Sequence, residues 1–507
     1  MTDREFGAGL SAPRVPRRRP APSAAAGKSP LLLAVAVAAL LVAAVAQAAL
    51  PRAVTRTFLD NGIPLNAVAV VVQDVDQRRP LFALQPRRPM NPASVMKLVT
   101  TFAALDTLGP DYRWRTEAYV DGTLEQGVLT GNLVLKGYGD PKITIEQWQA
   151  LMAGLRRAGI DRIDGDLVLD RSYFDLAPYD AGAFDGAPQR AYNVGPDALL
   201  VNFKAVRFSF APNATSDGTV VDIQPPLDPI HVEAPPALAS GPCDDDWGET
   251  IAPVFQDSGD AAEVSFPGRY PASCGERSFN VALLAPGPYV HAMFTTYFRA
   301  AGGTFKGGWR AGTAPANASP VAVLQSPPLY EVVRDVNKFS NNVMARQLFL
   351  TLATTAYPPP ATLAHAAAAV RRWLRARRLA MPELVLENGA GLSRVERISA
   401  GSLARLLVTA DRSRLGEDFV TSLAVAGTDG TVRKRLRDGG AAGQALLKTG
   451  TLDGVRAVAG YVLDRSGRRW AVVAIINHPS ASRGQPALDF LVEWVYRYAS
   501  AFAHASH

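Results

Sequence analysis

The chain has 507 residues, 48% of them hydrophobic and 20% charged, a globular balance that excludes collagen-like, fully disordered and multi-span membrane classes. At ~100–200 residues per domain there is room for two to four domains. The formal charge of +7 is unevenly placed: the first 50 residues carry Arg4, Arg14, Arg17, Arg18, Arg19 and Lys28 against Asp3 and Glu5, so most of the excess lies there. The nearly neutral remainder offers no electrostatic footprint for nucleic acid.

In chain order, a basic stretch precedes an apolar run over residues 31–50 that ends in an Ala46-Gln47-Ala48 pattern. Residues 1–48 read as an export signal cut after Ala48. A retained N-terminal membrane anchor is the alternative, and both readings place the rest outside the cytoplasm. Residues 67–75 and 80–84 predict two strands of a hairpin. Pro92 then opens a helix whose apolar positions Val95, Leu98, Val99, Phe102 and Leu105 fall at helical spacing, with Gly109-Pro110 as its stop. Its first turn holds Ser94 and Lys97.

Residues 111–286 change texture to short β-like runs separated by Gly and Pro, and predict an inserted, mostly β unit of one or two subdomains. One helix stands out there, opened by a Thr144/Gln147 capping box and burying Trp148, Leu151, Met152 and Leu155. Cys243 and Cys274 are the only cysteines. In an exported chain such a pair reads most simply as one disulfide, contributing about 3–4 kcal/mol in the chain-entropy model; two buried thiols are the alternative. Helices return over 290–301, 329–352, 361–379 and 400–410. Two strand patterns around a Ser466-Gly467 turn and a terminal helix from Ala487 complete the chain. Segments 49–110 and 287–507 therefore predict an antiparallel sheet covered by helices, an α+β fold.

Three short motifs follow one another: Ser94-Val95-Met96-Lys97, Ser340-Asn341-Asn342 and Lys448-Thr449-Gly450. Each alone is weak, and Ser278-Phe279-Asn280 is a second S-x-N. S-x-x-K, however, occurs once in the chain. At a helix start, residues i and i+3 share a face, and the helix terminus favours developing negative charge. A serine nucleophile with a lysine base needs that arrangement. Such a lysine must lose its proton near neutrality, through burial or a neighbouring cation, and Lys448 is a candidate for that cation. Gly450 lets a substrate backbone lie close against a sheet edge. No H-E-x-x-H, G-x-S-x-G, P-loop or G-x-G-x-x-G pattern occurs, so neither a metal nor another cofactor is indicated.

The ordered motifs resemble those of penicillin-binding proteins and serine β-lactamases. With 246 residues between Ser94 and Ser340, the chain resembles in particular the D-alanyl-D-alanine carboxypeptidase/endopeptidase family, the class C low-molecular-mass penicillin-binding proteins. RPMNPASVMKLVTT, GDLVLDRSYF, NGAGLSR, VAGTDGT and KTGTLDGV extend the likeness. The resemblance implies a serine transpeptidase/β-lactamase-like domain carrying a large insertion, acting on peptidoglycan stem peptides and inhibited by β-lactams. Ser94 would be acylated, with Lys97 as its base; Ser340 would relay a proton and Asn342 hold the substrate amide. Lys448 and Thr449 would bind the terminal carboxylate, and the N–H groups of Ser94 and Thr451 would form the oxyanion hole. Asp170 and Arg394 match positions that recognise the stem-peptide side chain. Asn341, Ala390 and Asp453 depart from the family pattern. A β-lactamase and a non-catalytic wall-binding scaffold are the rival readings.

Overall fold

The computed structural model describes residues 50–505 apart from Ser216; the proposed signal or anchor, 1–48, lies outside these residues. Strand Val68–Asp74 is buried from end to end, which explains its unbroken apolar run: both faces of its sheet are covered. Alternate residues point to opposite faces. Ala69 and Val71 enter one core with Ala457, Ala459, Tyr461, Val473 and Ile475. Val68, Val70 and Val72 enter another with Val458, Val462, Val472 and Ile476.

The sheet has six antiparallel strands in the order Phe82–Leu84, Val68–Asp74, Arg469–Asn477, Val455–Leu463, Ala445–Leu452 and Ala424–Val425. Helices Arg52–Asp60 and Gln485–Ala505 cover one face through Val54, Phe58, Leu488 and Leu491. The other face carries Lys97–Leu108, Leu329–Phe339, Asn342–Ala353, Leu363–Ala376 and Ala400–Asp411. The α+β class expected from the sequence is the observed one. The outermost strand, Ala424–Val425, pairs only with Leu446 and Leu447, so among the described residues no strand covers the outer edge from Lys448 to Leu452.

Two expectations change. The continuous helix expected over 329–352 is two helices, broken at Ser340, whose φ/ψ of 57/33° is left-handed. Apolar residues continue through the break because both helices pack into the same core, the second buried at every position after Asn342, so pattern alone could not locate it. The inserted unit also continues past 286. Ala322–Gln325 pairs with Arg115–Glu125, Trp309–Ala311 with Leu167–Asp170 and Thr304–Phe305 with Arg162–Ile163. Helix Pro286–Ala300 packs its Met293, Phe294 and Phe298 into the core of the insertion.

Within the insertion, Arg115–Glu125 and Val128–Gly137 form the central hairpin of a seven-stranded sheet. Helix Ile145–Arg157 has both bonds of its Thr144/Gln147 capping box and buries Trp148, Leu151, Met152 and Leu155. Three smaller sheets follow. Cys243 and Cys274 are joined there as a disulfide closing a 31-residue separation. Changing both cysteines to serine is expected to lower amide-exchange protection over 254–281, the loss corresponding to about 3–4 kcal/mol. Protection in Val455–Leu463, on a separate core, should stay unchanged in the same hydrogen-exchange experiment.

Candidate active site

Ser94 lies in the one-turn 3-10 segment Ala93–Met96 that leads into helix Lys97–Leu108. Ala93 has φ +48°, a conformation costing a non-glycine residue ~1–3 kcal/mol. Asn91 holds it there. Its Oδ1 accepts the Ala93 N–H at 2.9 Å and its Nδ2 donates to the Ser393 carbonyl at 2.8 Å. Its backbone N–H and C=O bind the side chain of Asn477, the last residue of a central strand, each at 2.9 Å.

Two glycines press on this turn. A Cβ on Gly450 would lie 2.4 Å from the Pro92 carbonyl oxygen, and one on Gly391 would lie 2.0 Å from that of Ala93. The absent side chain of Gly450 thus makes room for the serine turn, a constraint separate from the substrate approach expected from sequence. Lys448, two residues back on the strand, shares that face.

Lys97 has no exposed surface. Its Nζ lies 2.9 Å from Ser94 Oγ and 2.6 Å from Asn342 Oδ1, and also bonds the Ala390 carbonyl. No carboxylate is among these partners. Burial, then the charges of Lys448 and Arg346, hold its pKa well below the ordinary lysine value. In a neutral amine the two N–H bonds go to the acceptor-only oxygens of Asn342 and Ala390. The lone pair is left for the Ser94 O–H, which then donates to nitrogen. This geometry can take a proton from Ser94. Since Ala390 contributes its backbone oxygen, its departure from the family pattern leaves this contact intact.

Ala390 is held in turn by Glu396, fully buried, whose Oε1 accepts the N–H groups of Glu387, Asn388 and Gly389 at 2.9–3.0 Å. Burial pushes this carboxyl above its usual range despite those donors.

The helix break sets the second motif. Ser340 ends one helix in the left-handed region, and Asn341 Oδ1 caps the next by accepting the Met344 N–H at 3.0 Å. Asp and Asn cap equally well, so Asn341 preserves the break. Lys448, also without exposed surface, donates to Ser340 Oγ at 2.8 Å and to the Thr449 carbonyl at 2.9 Å. Burial brings its pKa down to about 7. Thr449 Oγ1 donates to Thr431 Oγ1 at 2.9 Å. Ser94, Ser340, Asn342 and Thr451 line a cleft of about 490 Å³, with Asp185, Arg394, Asp453 and Arg456 on its walls.

Of the residues expected to meet the stem-peptide side chain, Arg394 is on the cleft, its guanidinium 4.6 Å from the Phe184 ring centre. Asp170 is not. It is fully buried in the insertion, accepting the Ser172 N–H and hydroxyl at 3.0 and 2.6 Å and the Ala314 N–H at 2.8 Å, with Lys136 at 3.5 Å. Burial alone would raise its carboxyl, but these donors hold it below its usual range. Besides Asp453, the carboxylate on the cleft wall is Asp185, in an irregular stretch with no periodic pattern to mark it. The roles of Asn91, Gly391 and Glu396 were equally invisible, since each acts through contacts distant in sequence.

A six-stranded antiparallel sheet between helical layers, with a serine bound to a buried lysine at its open edge, defines a serine hydrolase of the penicillin-binding class. The model of the D-Ala-D-Ala carboxypeptidase 3 (S13) family matches residues 50–498, and the chain belongs to that family. It is 26% identical over 422 residues to the D-alanyl-D-alanine carboxypeptidase DacB of Haemophilus influenzae, covering 81% of this chain and 85% of that one. It is 27% identical over 421 residues to the D-alanyl-D-alanine carboxypeptidase of Actinomadura sp. strain R39, covering 81% and 77%. The crystal structure of penicillin-binding protein 4 (dacB) from H. influenzae shares the fold, with TM-score 0.73, 23% identity and coverage of 88% and 99%. The protein is a serine-type D-Ala-D-Ala carboxypeptidase.

Replacing Gly450 by Ala isolates the close approach to Pro92, because the backbone there needs no positive φ. Misplacing the serine turn is expected to lower kcat/KM for D-alanine release by ~10²-fold, with a lowered thermal midpoint because the buried backbone at Pro92 must shift. An unchanged kcat/KM would show that the turn does not depend on this approach.

Proposed function

We propose that this carboxypeptidase cleaves the D-Ala-D-Ala end of peptidoglycan stem peptides through an acyl-enzyme on Ser94. The observation that carries the reading is the fully buried Lys97, whose acceptor-only partners leave its lone pair to Ser94. The substrate lies as an added strand along the uncovered edge after Leu447. Ser94 Oγ attacks the carbonyl carbon of the penultimate D-alanine while its proton passes to Lys97 Nζ. The N–H groups of Ser94 and Thr451 receive the oxyanion, each such donor being worth ~3–4 kcal/mol of barrier. Collapse breaks the C–N bond, and the leaving amine takes its proton through Ser340. Water then attacks the ester, returning free Ser94 and the shortened peptide.

Asn342 holds the substrate amide, and Lys448 and Thr449 bind the terminal carboxylate. When the leaving amine belongs to a second strand, the same steps open a cross-link, giving endopeptidase activity. Asp185 and Arg394, a carboxylate and a guanidinium on one cleft, suit a third stem residue that ends in both an amine and a carboxylate. β-Lactams acylate Ser94 and inhibit the enzyme. The H. influenzae penicillin-binding protein 4 has been crystallised in complex with a β-lactam, which supports this part of the reading. The N-terminal sequence supports action in the periplasm or cell envelope.

Intact mass during a time course with benzylpenicillin tests the mechanism: a one-to-one adduct is expected in the wild type and none in Ser94→Ala. Rapid loss of the drug without an adduct would replace this reading with a β-lactamase. The pH profile tests the lysines. Lys97 must be neutral, so kcat/KM falls as pH drops through its lowered pKa. Lys448 must be charged to bind a carboxylate, so kcat/KM falls as pH rises through about 7. Arginine stays charged, so Lys448→Arg, checked for benzylpenicillin labelling, should move the alkaline limb upward. An unmoved limb would remove Lys448 from carboxylate recognition.

A further inference from the structure

The stretch VAGTDGT, Val425 to Thr431, has no role in the reaction at Ser94, yet it is built against both the second and the third motif. Val425 pairs with Leu446 on the outer strand, and the chain then turns away from the sheet beside the uncovered edge. Asp429 closes this turn. Its N–H donates to the Val425 carbonyl at 3.1 Å, and its Oδ1 accepts the Val425 N–H at 2.8 Å. Its Oδ2 takes the ammonium of Lys338, two residues before Ser340. Gly430 has φ +55°, and a Cβ there would lie 2.5 Å from the Lys338 carbonyl oxygen. Glycine thus lets the turn sit against the end of helix Leu329–Phe339.

These contacts deliver Thr431. It stands in the one-turn segment Gly430–Val432, which is anchored by buried Val432, and its own side chain is exposed. Its Oγ1 lies 2.9 Å from Thr449 Oγ1, and among the described residues the Thr449 hydroxyl has no other side-chain partner. A threonine hydroxyl has one proton, two acceptor lone pairs and a freely rotating O–H. With the site empty of substrate, Thr449 gives its proton to Thr431. A carboxylate can only accept, so Thr449 must turn that proton away from Thr431 in order to bind one. The contact survives only if Thr431 turns its own O–H and donates back to Thr449. The reversed pair favours an anion, because a hydroxyl that accepts a hydrogen bond is polarised into a better donor. The negative charge of Asp429, which would oppose a carboxylate here, is offset by Lys338 and the Val425 N–H.

We propose that Thr431 is a positioning residue for the terminal carboxylate of the substrate: on binding, its hydroxyl reverses direction and donates to Thr449 Oγ1, setting the Thr449 proton on the carboxylate. The inference rests on the assignment of that carboxylate to Lys448 and Thr449. The relay strengthens a bond to an anion more than one to a neutral group, so Thr431 governs how strongly the enzyme favours a free carboxylate on the group it releases. The Lys338–Asp429 pair and Gly430 hold the relay in register with Ser340.

The test uses two thioesters of one acyl peptide ending in D-alanine, with mercaptoacetate or ethanethiol as the leaving thiol. They differ only in a carboxylate against a methyl group and give the same acyl-enzyme on Ser94. Because kcat/KM covers only the steps up to thiol release, the ratio of the two values isolates recognition of the carboxylate. Thiol release is followed in the wild type, in Thr431→Val, which keeps the shape but not the hydroxyl, and in Thr431→Ser, which keeps the hydroxyl. The wild type should favour the mercaptoacetate ester. Thr431→Val should lower the ratio roughly fivefold, and Thr431→Ser should retain it. A wild-type ratio in Thr431→Val, including one reached because both rates fall together, would overturn the proposal. A Thr431→Ser ratio as low as that of the valine variant would do the same. A wild type that does not distinguish the thioesters would instead overturn the assignment of the carboxylate to Lys448 and Thr449, and the proposal with it.

Discussion

A lysine amine buried without a carboxylate is the constraint around which this molecule is arranged. An ammonium in that position would carry a desolvation cost of several kcal/mol, and the surroundings lower the cost by favouring the neutral form. Lys97 finds oxygen partners in Ser94, Asn342 and Ala390, while Lys448 and Arg346 add positive potential. Placing a neutral carbonyl there requires the 387–390 loop to be fixed, and buried Glu396 fixes it by accepting three consecutive N–H groups. A carboxylate that would have neutralised Lys97 by direct contact is thus used one layer out, on backbone.

The same economy governs the backbone around Ser94. A left-handed Ala93 is unfavourable in isolation, yet it persists because Asn91 is bound simultaneously to Ser393 and to Asn477 at the end of a central strand. Gly391 and Gly450 close in on the turn from two sides at distances that no Cβ tolerates. The rigid sheet therefore positions the serine through carbonyl packing and amide bonds, and the second motif reaches the same cleft by a left-handed break between two helices.

The insertion contributes more than bulk. Its irregular stretch after Asp170 carries Phe184, Asp185 and Tyr192 to the cleft, so one wall of the site belongs to a segment far in sequence from all three motifs. Arg346, on the helix after the break, bonds the Tyr192 and Val194 carbonyls and ties that wall to the catalytic layer. In the proposed function the division is chemical: the sheet edge handles the D-Ala-D-Ala backbone, and the insertion reads what the side chain carries.

The sequence by itself determined the α+β class, the covered sheet, the mostly β insertion and the motif residues that line or underlie the cleft. Those features are local: unbroken valine runs, a capping box, and Ser94 and Lys97 one helical turn apart are written in neighbouring positions. Only the tertiary structure decided where the helix over 329–352 breaks, how far the insertion extends, and that Asp185 takes the place on the cleft expected for Asp170. Asp170 and Asp185 are both acidic residues followed by a turn. What separates them is burial: the Ala314 N–H and Lys136 close over Asp170, whereas Asp185 stays exposed on the cleft. Contacts 34 and 144 residues away in sequence set that difference, and no local pattern records them.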